Sequence, residues 1–246
     1  MINDDHKLVW LGIFAHPDDE TSASAGTMVR WIEEGGKVYI VTATGGEEGS
    51  LGTGGEVIER KDLAKVRESE LRKNLLLYGA NAPFLLGYRD QDLNKENIED
   101  VSLRLLDIMH IVKPDIVATF GPSGISNHPD HIAIHKAALL AHEWYAESQL
   151  QSQVPLLIYP TLPIEVAEQY GLELSDDEKK IDVEVNIESS MDKKIQGLRN
   201  YKSQQDAQDF AERLSKSEDK KERFAVSPKI SSTWKDSSLI SHLISL

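Results

Sequence analysis

The 246-residue sequence predicts a Rossmann-like α/β fold: a mostly parallel β-sheet with helices on both faces and the active site at the C-terminal edge of the strands. Three observations carry this prediction. Short β-branched runs alternate with longer amphipathic stretches through the first half, the pattern of βαβ units. Glycine or proline stops the amphipathic stretches. Loops rich in His, Asp and Gly follow the strand candidates, at the edge where ligands bind in open α/β sheets.

Taken in order, Val9 to Ala15, Val38 to Ala43 and Ile116 to Phe120 read as strands. Between them lie three helices: Ser22 to Glu34, stopped by Gly35-Gly36; Arg60 to Tyr78, stopped by Gly79; and Ile98 to Val112, stopped by Lys113-Pro114. A fourth helix, Asp130 to Ser148, begins after a loop rich in Gly, Pro, Ser and Asn. Beyond Pro155 the pattern weakens, with Leu156 to Tyr159 and Ile181 to Val185 as strands and Met191 to Gln204 as a helix. Residues 205 to 223, dense in alternating charge, read as a solvated helix face. A chain of this length is expected to form a single domain over residues 1–246.

Composition narrows the function classes. Hydrophobic content of 40% supports a sizeable core, and a formal charge of −14 disfavours nucleic-acid and anionic-membrane partners, which draw affinity from Lys and Arg. The absence of cysteine excludes disulfides and thiolate metal sites, so a zinc or iron site must use His, Asp and Glu. The polar, acidic start from Met1 to Lys7 and the short apolar run after it predict a cytoplasmic protein without membrane insertion.

Two clusters carry chemistry. Ala15-His16-Pro17-Asp18-Asp19-Glu20 places an imidazole and three carboxylates at a strand end. Such a cluster either faces water, with Asp18 or Asp19 capping the next helix, or binds a metal. Asn127-His128-Pro129-Asp130-His131 repeats the His-Pro-Asp start at a second strand-to-helix junction. His at i and Asp at i+3, joined by one ligand from a distant loop, make the three-ligand set of a catalytic zinc site with an open position for water. His135 follows His131 by one turn and reads as packing or solvent-facing, since no HExxH pattern is present; His6, His110, His142 and His242 read as structural.

These motifs resemble the PIG-L (LmbE-like) family of zinc-dependent N-acetylglucosamine deacetylases. The resemblance extends to Thr44-x-Gly46-Glu47-x-Gly49, Arg67-x-x-Glu70-Leu71, Leu86-Gly87-Tyr88-x-Asp90 and Lys194-x-x-x-Leu198-x-x-Tyr201-x-Ser203-Gln204. It implies His16, Asp19 and His131 as metal ligands and Asp18 as general base. It further implies that His128 stabilises the tetrahedral intermediate and protonates the leaving amine, that Asp130 supports His128 by hydrogen bonding, and that Arg67 and Asp90 lie in the substrate pocket. From residue type alone, Arg67 reads as a surface ion pair with Glu70, and Glu20 as a helix cap or a support for a ligand.

The chain departs from the family pattern in two places. Arg89-Asp90-Gln91 stands where Pro and Asp-Gly are commoner, and Ser126-Asn127 stands where some relatives place a catalytic tyrosine. Both touch substrate recognition more than the metal centre. The resemblance implies removal of an N-acetyl group from an N-acetylglucosamine-type sugar or sugar conjugate by metal-activated water. The alternatives are an amidase acting on a thiol-sugar conjugate or other N-acyl metabolite, and a non-catalytic sugar- or metal-binding relative. Zn2+ is the expected cofactor, with Fe2+ suited to the same ligands. The oligomeric state is left open, a homo-oligomer included.

Overall fold

The run Val-Trp-Leu-Gly-Ile-Phe is buried at every position as strand β1 (Val9–Phe14) in a computed structural model that describes residues 7–55, 57–150, 154–228 and 238–246. Because successive side chains point to opposite faces of a strand, burial at every position means that both faces of the sheet are covered here. The chain continues through α1 (Asp19–Glu33), β2 (Lys37–Thr44), α2 (Arg60–Tyr78), β3 (Phe84–Tyr88), α3 (Ile98–Val112), β4 (Ile116–Thr119) and α4 (Pro129–Glu147). It then forms β5 (Leu156–Thr161), α5 (Ile164–Gln169), β6 (Val183–Asn186), α6 (Met191–Asn200), α7 (Gln205–Lys216), β7 (Lys221–Val226) and α8 (Ser238–Ser245).

The seven strands form one sheet in the order β3-β2-β1-β4-β5-β7-β6. The first five are parallel, and β7 runs antiparallel to both β5 and β6. Helices α1, α2 and α6 pack on one another, while α3 packs on α4. Trp10 and Trp31 meet edge to face in the core with centroids 5.9 Å apart.

The predicted stops hold for physical reasons. Gly79 ends α2 in the left-handed conformation at φ 84°, open to glycine without a Cβ penalty, and Lys113 ends α3 directly before Pro114. Helix α1 begins at Asp19 rather than Ser22, because the acidic residues of the first cluster occupy its first turn.

Two expectations are corrected. The predicted helix from Met191 to Gln204 ends at Asn200, where Tyr201 reaches Glu20 and Ser203 reaches Glu70, and a separate helix, α7, begins at Gln205. The charge-rich stretch 205 to 223 contains α7 and the start of β7, whose alternating Lys and Glu hide a strand with Phe224 in the core. Leu86-Gly87-Tyr88 lies in the edge strand β3; Gly87 sits at φ 73° and the register with β2 shifts between Thr42 and Thr44.

Candidate metal-dependent active site

The strand order reverses at β1. Strands β2 and β3 lie to one side of it, and β4 and β5 to the other. Loops leaving the carboxyl ends of β1 and β4 therefore diverge, and the crevice between them is where an open α/β sheet binds its ligand. His16 and Asp18 lie in the first loop, Asp19 opens α1, and His128, Asp130 and His131 lie at the end of the second loop and the start of α4.

Across this crevice His16 Nδ1 and His131 Nε2 are 3.1 Å apart. Asp19 bridges them, with Oδ2 at 3.5 Å from His16 Nδ1 and Oδ1 at 3.3 Å from His131 Nε2. Ligand atoms about 2.0–2.2 Å from one tetrahedral ion lie about 3.3–3.6 Å from each other, so the two Asp19 distances match a shared metal and the two rings need part by only a few tenths of an ångström. His128 belongs to the same group, since its ring nitrogen falls within 4.8 Å of those of His16 and His131. A second, overlapping group joins His16 to Asp90 and Asp130: His16 Nε2 is 3.1 Å from Asp90 Oδ1 and 3.4 Å from Asp130 Oδ2.

Electrostatics favours a cation here. Burial opposes charge on His16, yet hydrogen bonds to Asp130, Asp19 and Asp90 outweigh it and raise its pKa well above the ordinary histidine value. Burial would raise Asp19, but the His131 and His16 rings hold it well below the usual carboxylate range. For Asp90 burial is likewise outweighed, chiefly by His16, and its pKa falls to about 2. Imidazoles thus stand in for positive charge that a divalent ion supplies more strongly.

Asp18 lies beside this group but is held differently. It precedes α1 with φ 109°, a left-handed conformation that costs a non-glycine residue about 1–3 kcal/mol and persists only when its surroundings enforce it. The enforcement is visible: its backbone N–H donates to Glu20 Oε2 at 3.0 Å, and its carboxylate accepts from Arg67 Nη2 at 2.9 Å. Its side chain does not cap α1, and Asp19 instead accepts the backbone N–H of His16 at 2.8 Å. Burial raises the Asp18 pKa well above the carboxylate range, against the opposing charge of Arg67.

His128 caps α4, its Nδ1 accepting the backbone N–H of Asp130 at 3.2 Å. An acceptor at Nδ1 places the proton of a neutral ring on Nε2. Burial, followed by the neighbouring His16 and His131 rings, lowers the His128 pKa below 6.5. Asp130 thus meets His128 through its backbone N–H. Its Oδ2 faces His16 Nε2 and accepts from Gln91 N at 2.7 Å, while Oδ1 has no hydrogen-bond partner among the described residues.

A model of the family described as PIG-L: GlcNAc-PI de-N-acetylase matches residues 11–142, more than half of the chain and the span that carries both histidine clusters. The chain belongs to the PIG-L family. Among curated PIG-L relatives, the mycothiol S-conjugate amidase of Streptomyces coelicolor is 29% identical over 160 residues, covering 58% of this chain and 54% of the relative. The 1D-myo-inositol 2-acetamido-2-deoxy-alpha-D-glucopyranoside deacetylase of Rhodococcus erythropolis is 30% identical over 181 residues, covering 65% and 62%. The chain thus matches between about half and three-fifths of the length of these relatives.

Solved structures share the PIG-L fold. The N,N'-diacetylchitobiose deacetylase of Pyrococcus horikoshii superposes with a TM-score of 0.67 at 24% identity, covering 91% of this chain and 85% of that one. The 4-carboxy-2-hydroxymuconate hydratase GalB of Pseudomonas putida does so equally well, with a TM-score of 0.67 at 17% identity, covering 89% and 95%. One fold therefore serves more than one reaction, and the side chains must decide the chemistry.

The remaining PIG-L motif residues are bound to the protein itself. Arg67, read from residue type as a surface ion pair with Glu70, is 4% exposed and donates to Gly46 O, Pro17 O and Asp18. Asp90 sits behind His16, its Oδ2 accepting from Glu48 N at 2.9 Å. Glu20 is buried and accepts from Thr21 and from Tyr201 OH as well as from Asp18 N. His135 lies outside the donor groups, its Nδ1 paired with Phe120 O at 2.8 Å. His142 pairs with Pro155 O, while His110 and His242 lie against Tyr145 and Trp31; His6 lies outside the described residues.

Residue type gave no warning of the groups that fix His131. Its ring stacks on Phe120 at 4.0 Å, and its Nδ1 meets Gly124 O at 3.1 Å and Ser126 Oγ at 2.9 Å. The short side chain of Ser126 reaches this ring nitrogen. A proton on Nδ1 leaves Nε2 with its lone pair toward His16 and Asp19.

Proposed function

We propose that this chain is a zinc-dependent N-deacetylase acting on an N-acetylglucosamine-type sugar or sugar conjugate. The observation that carries the reading is the meeting of His16 Nδ1, His131 Nε2 and the Asp19 carboxylate within 3.1–3.5 Å, with the strained Asp18 beside them. In this reading His16, Asp19 and His131 hold the ion. Asp90 and Asp130 accept the His16 Nε2–H and fix that ring, as carboxylates behind metal-bound histidines do.

Zinc held by His16, Asp19 and His131 would supply Lewis acidity to the acetyl carbonyl and to a water molecule. Asp18 accepts a proton from that water as its oxygen bonds to the carbonyl carbon. Arg67 keeps the carboxylate aimed and borders the pocket. His128, with its proton on Nε2, donates a hydrogen bond to the developing oxyanion. A neutral His128 has no second proton to give, so the proton held by Asp18 passes to the nitrogen as the C–N bond breaks. Acetate and the free amine leave.

The amidase relative favours a second substrate for the same machinery, the amide of a thiol-sugar conjugate. The test is amine release from N-acetylglucosaminyl-inositol, N,N'-diacetylchitobiose and a mycothiol S-conjugate, with and without chelator. The account expects chelator-sensitive release from at least one of them and loss of release in Asp18→Asn. Release unaffected by either change, or no release from any of the three substrates, contradicts it.

A further inference from the structure

One buried carboxylate outside the PIG-L match is hydrogen-bonded to the loop that carries the second histidine cluster. Glu178, between α5 and β6, is fully buried. Its Oε2 accepts from Ser123 N at 2.8 Å and from Ser175 N and Oγ at 3.2 and 2.6 Å, and its Oε1 accepts from Ile125 N at 3.1 Å. Ser123 and Ile125 flank Gly124, whose carbonyl meets His131 Nδ1 at 3.1 Å.

The loop needs such a fastening. Gly124, Ile125 and Asn127 have φ of 69°, 56° and 60°, and a β-branched residue in the left-handed region holds only where its surroundings over-determine it. Gly121 is pressed against the Glu178 side chain so closely that a Cβ there would collide with it. A second tie joins the same two segments: Asn127 Nδ2 donates to Glu173 O at 3.0 Å, and Glu173 N donates to Asn127 Oδ1 at 3.1 Å.

We infer that Glu178 is a positioning residue for His131: by holding the amides of Ser123 and Ile125 it sets the Gly124 carbonyl, which keeps the His131 proton on Nδ1 and turns Nε2 toward His16 and Asp19. This rests on the reading of His131 as a metal ligand. Glutamine at 178 keeps the shape but puts an amide NH2 against backbone N–H groups, so one of the two loop amides loses its acceptor.

Glu178→Gln and Glu222→Gln are compared in the full chain. Glu222 is a buried carboxylate of similar type, accepting from Gly26 N and Thr27 N. Readouts are zinc affinity by chelator competition, melting temperature of the metal-free protein, and imidazole 15N shifts of His131. Glu178→Gln is expected to weaken zinc binding about 10- to 100-fold and to mix the His131 tautomers. Glu222→Gln is expected to lower the melting temperature at unchanged zinc affinity. A Glu178→Gln protein that melts lower yet binds zinc as wild type and keeps the Nδ1–H tautomer overturns the inference. If wild type binds no zinc, the metal reading fails by itself, and the His131 tautomer in the metal-free proteins still decides the role of Glu178. Should Glu178→Gln not fold, Glu178→Asp, which shortens the side chain away from Ser123 N and Ile125 N, takes its place; mixed His131 tautomers support the inference, and an unchanged ring contradicts it.

Discussion

The guanidinium of Arg67 lies 2.9 Å from Asp18 Oδ2, and both side chains are almost wholly shielded from water. This pair joins the middle of α2 to the one residue of the first cluster with a left-handed backbone. Breaking a buried pair by removing one partner leaves an uncompensated charge, at a typical cost of about 3–5 kcal/mol. Arg67→Met is therefore expected to destabilise the protein by about that much, and Arg67→Met with Asp18→Asn by less than the two single changes summed. Urea unfolding of the four proteins checks this, and strict additivity would show that the contact carries no coupling.

Loss of His128 separates its role from that of a ligand. The account expects His128→Ala to lower kcat about 10²- to 10³-fold, the usual cost of an oxyanion donor, while zinc content after dialysis stays at the wild-type level. Loss of the metal along with activity would move His128 into the ligand set.

Tyr201 supports the site from the turn between α6 and α7. Its hydroxyl donates to the buried Glu20 carboxylate at 2.7 Å, and Glu20 in turn holds the Asp18 amide. Tyr201→Phe deletes only the hydroxyl, and hydrogen bonds to charged groups contribute about 1.5–3 kcal/mol. A fall of that size in unfolding free energy is expected; a change under about 0.5 kcal/mol would remove Tyr201 from the support of the cluster.

The contrast between His131 and Glu178 marks how far residue type and spacing reach. Both histidine clusters were legible because His, Pro and Asp recur at two strand-to-helix junctions, and the parallel strand pattern placed those junctions on one edge. Arg67 reads as a surface ion pair in isolation, since nothing local to α2 shows that Gly46 and Pro17 will close over it. Glu178 is one acid among several in an acidic stretch, and its meaning depends on a loop some 50 residues earlier in the chain. Strand β7 was hidden by charges that pair along its rim, as Arg223 does with Glu184 and Asp219.

His142 gives the fold a pH dependence that does not involve the metal site. Its ring is buried beside Pro155 O, and burial lowers its pKa below 6.5. A depressed folded pKa means that the unfolded chain binds the proton more readily. The contribution is thus fully present above 6.5 and is lost as pH falls through that value toward the folded pKa. Melting temperature measured from pH 7.5 to pH 5 should fall less steeply for His142→Gln than for wild type. Parallel curves would show that His142 titrates alike in both states.

The position of the ion separates two overlapping donor groups, which share His16 but use opposite ring nitrogens. An anomalous difference map at the zinc edge, from crystals of the zinc-loaded protein, distinguishes them directly. The account predicts a peak about 2.0–2.2 Å from His16 Nδ1, His131 Nε2 and an Asp19 oxygen. A peak between His16 Nε2, Asp90 and Asp130, or none at either place, would contradict it.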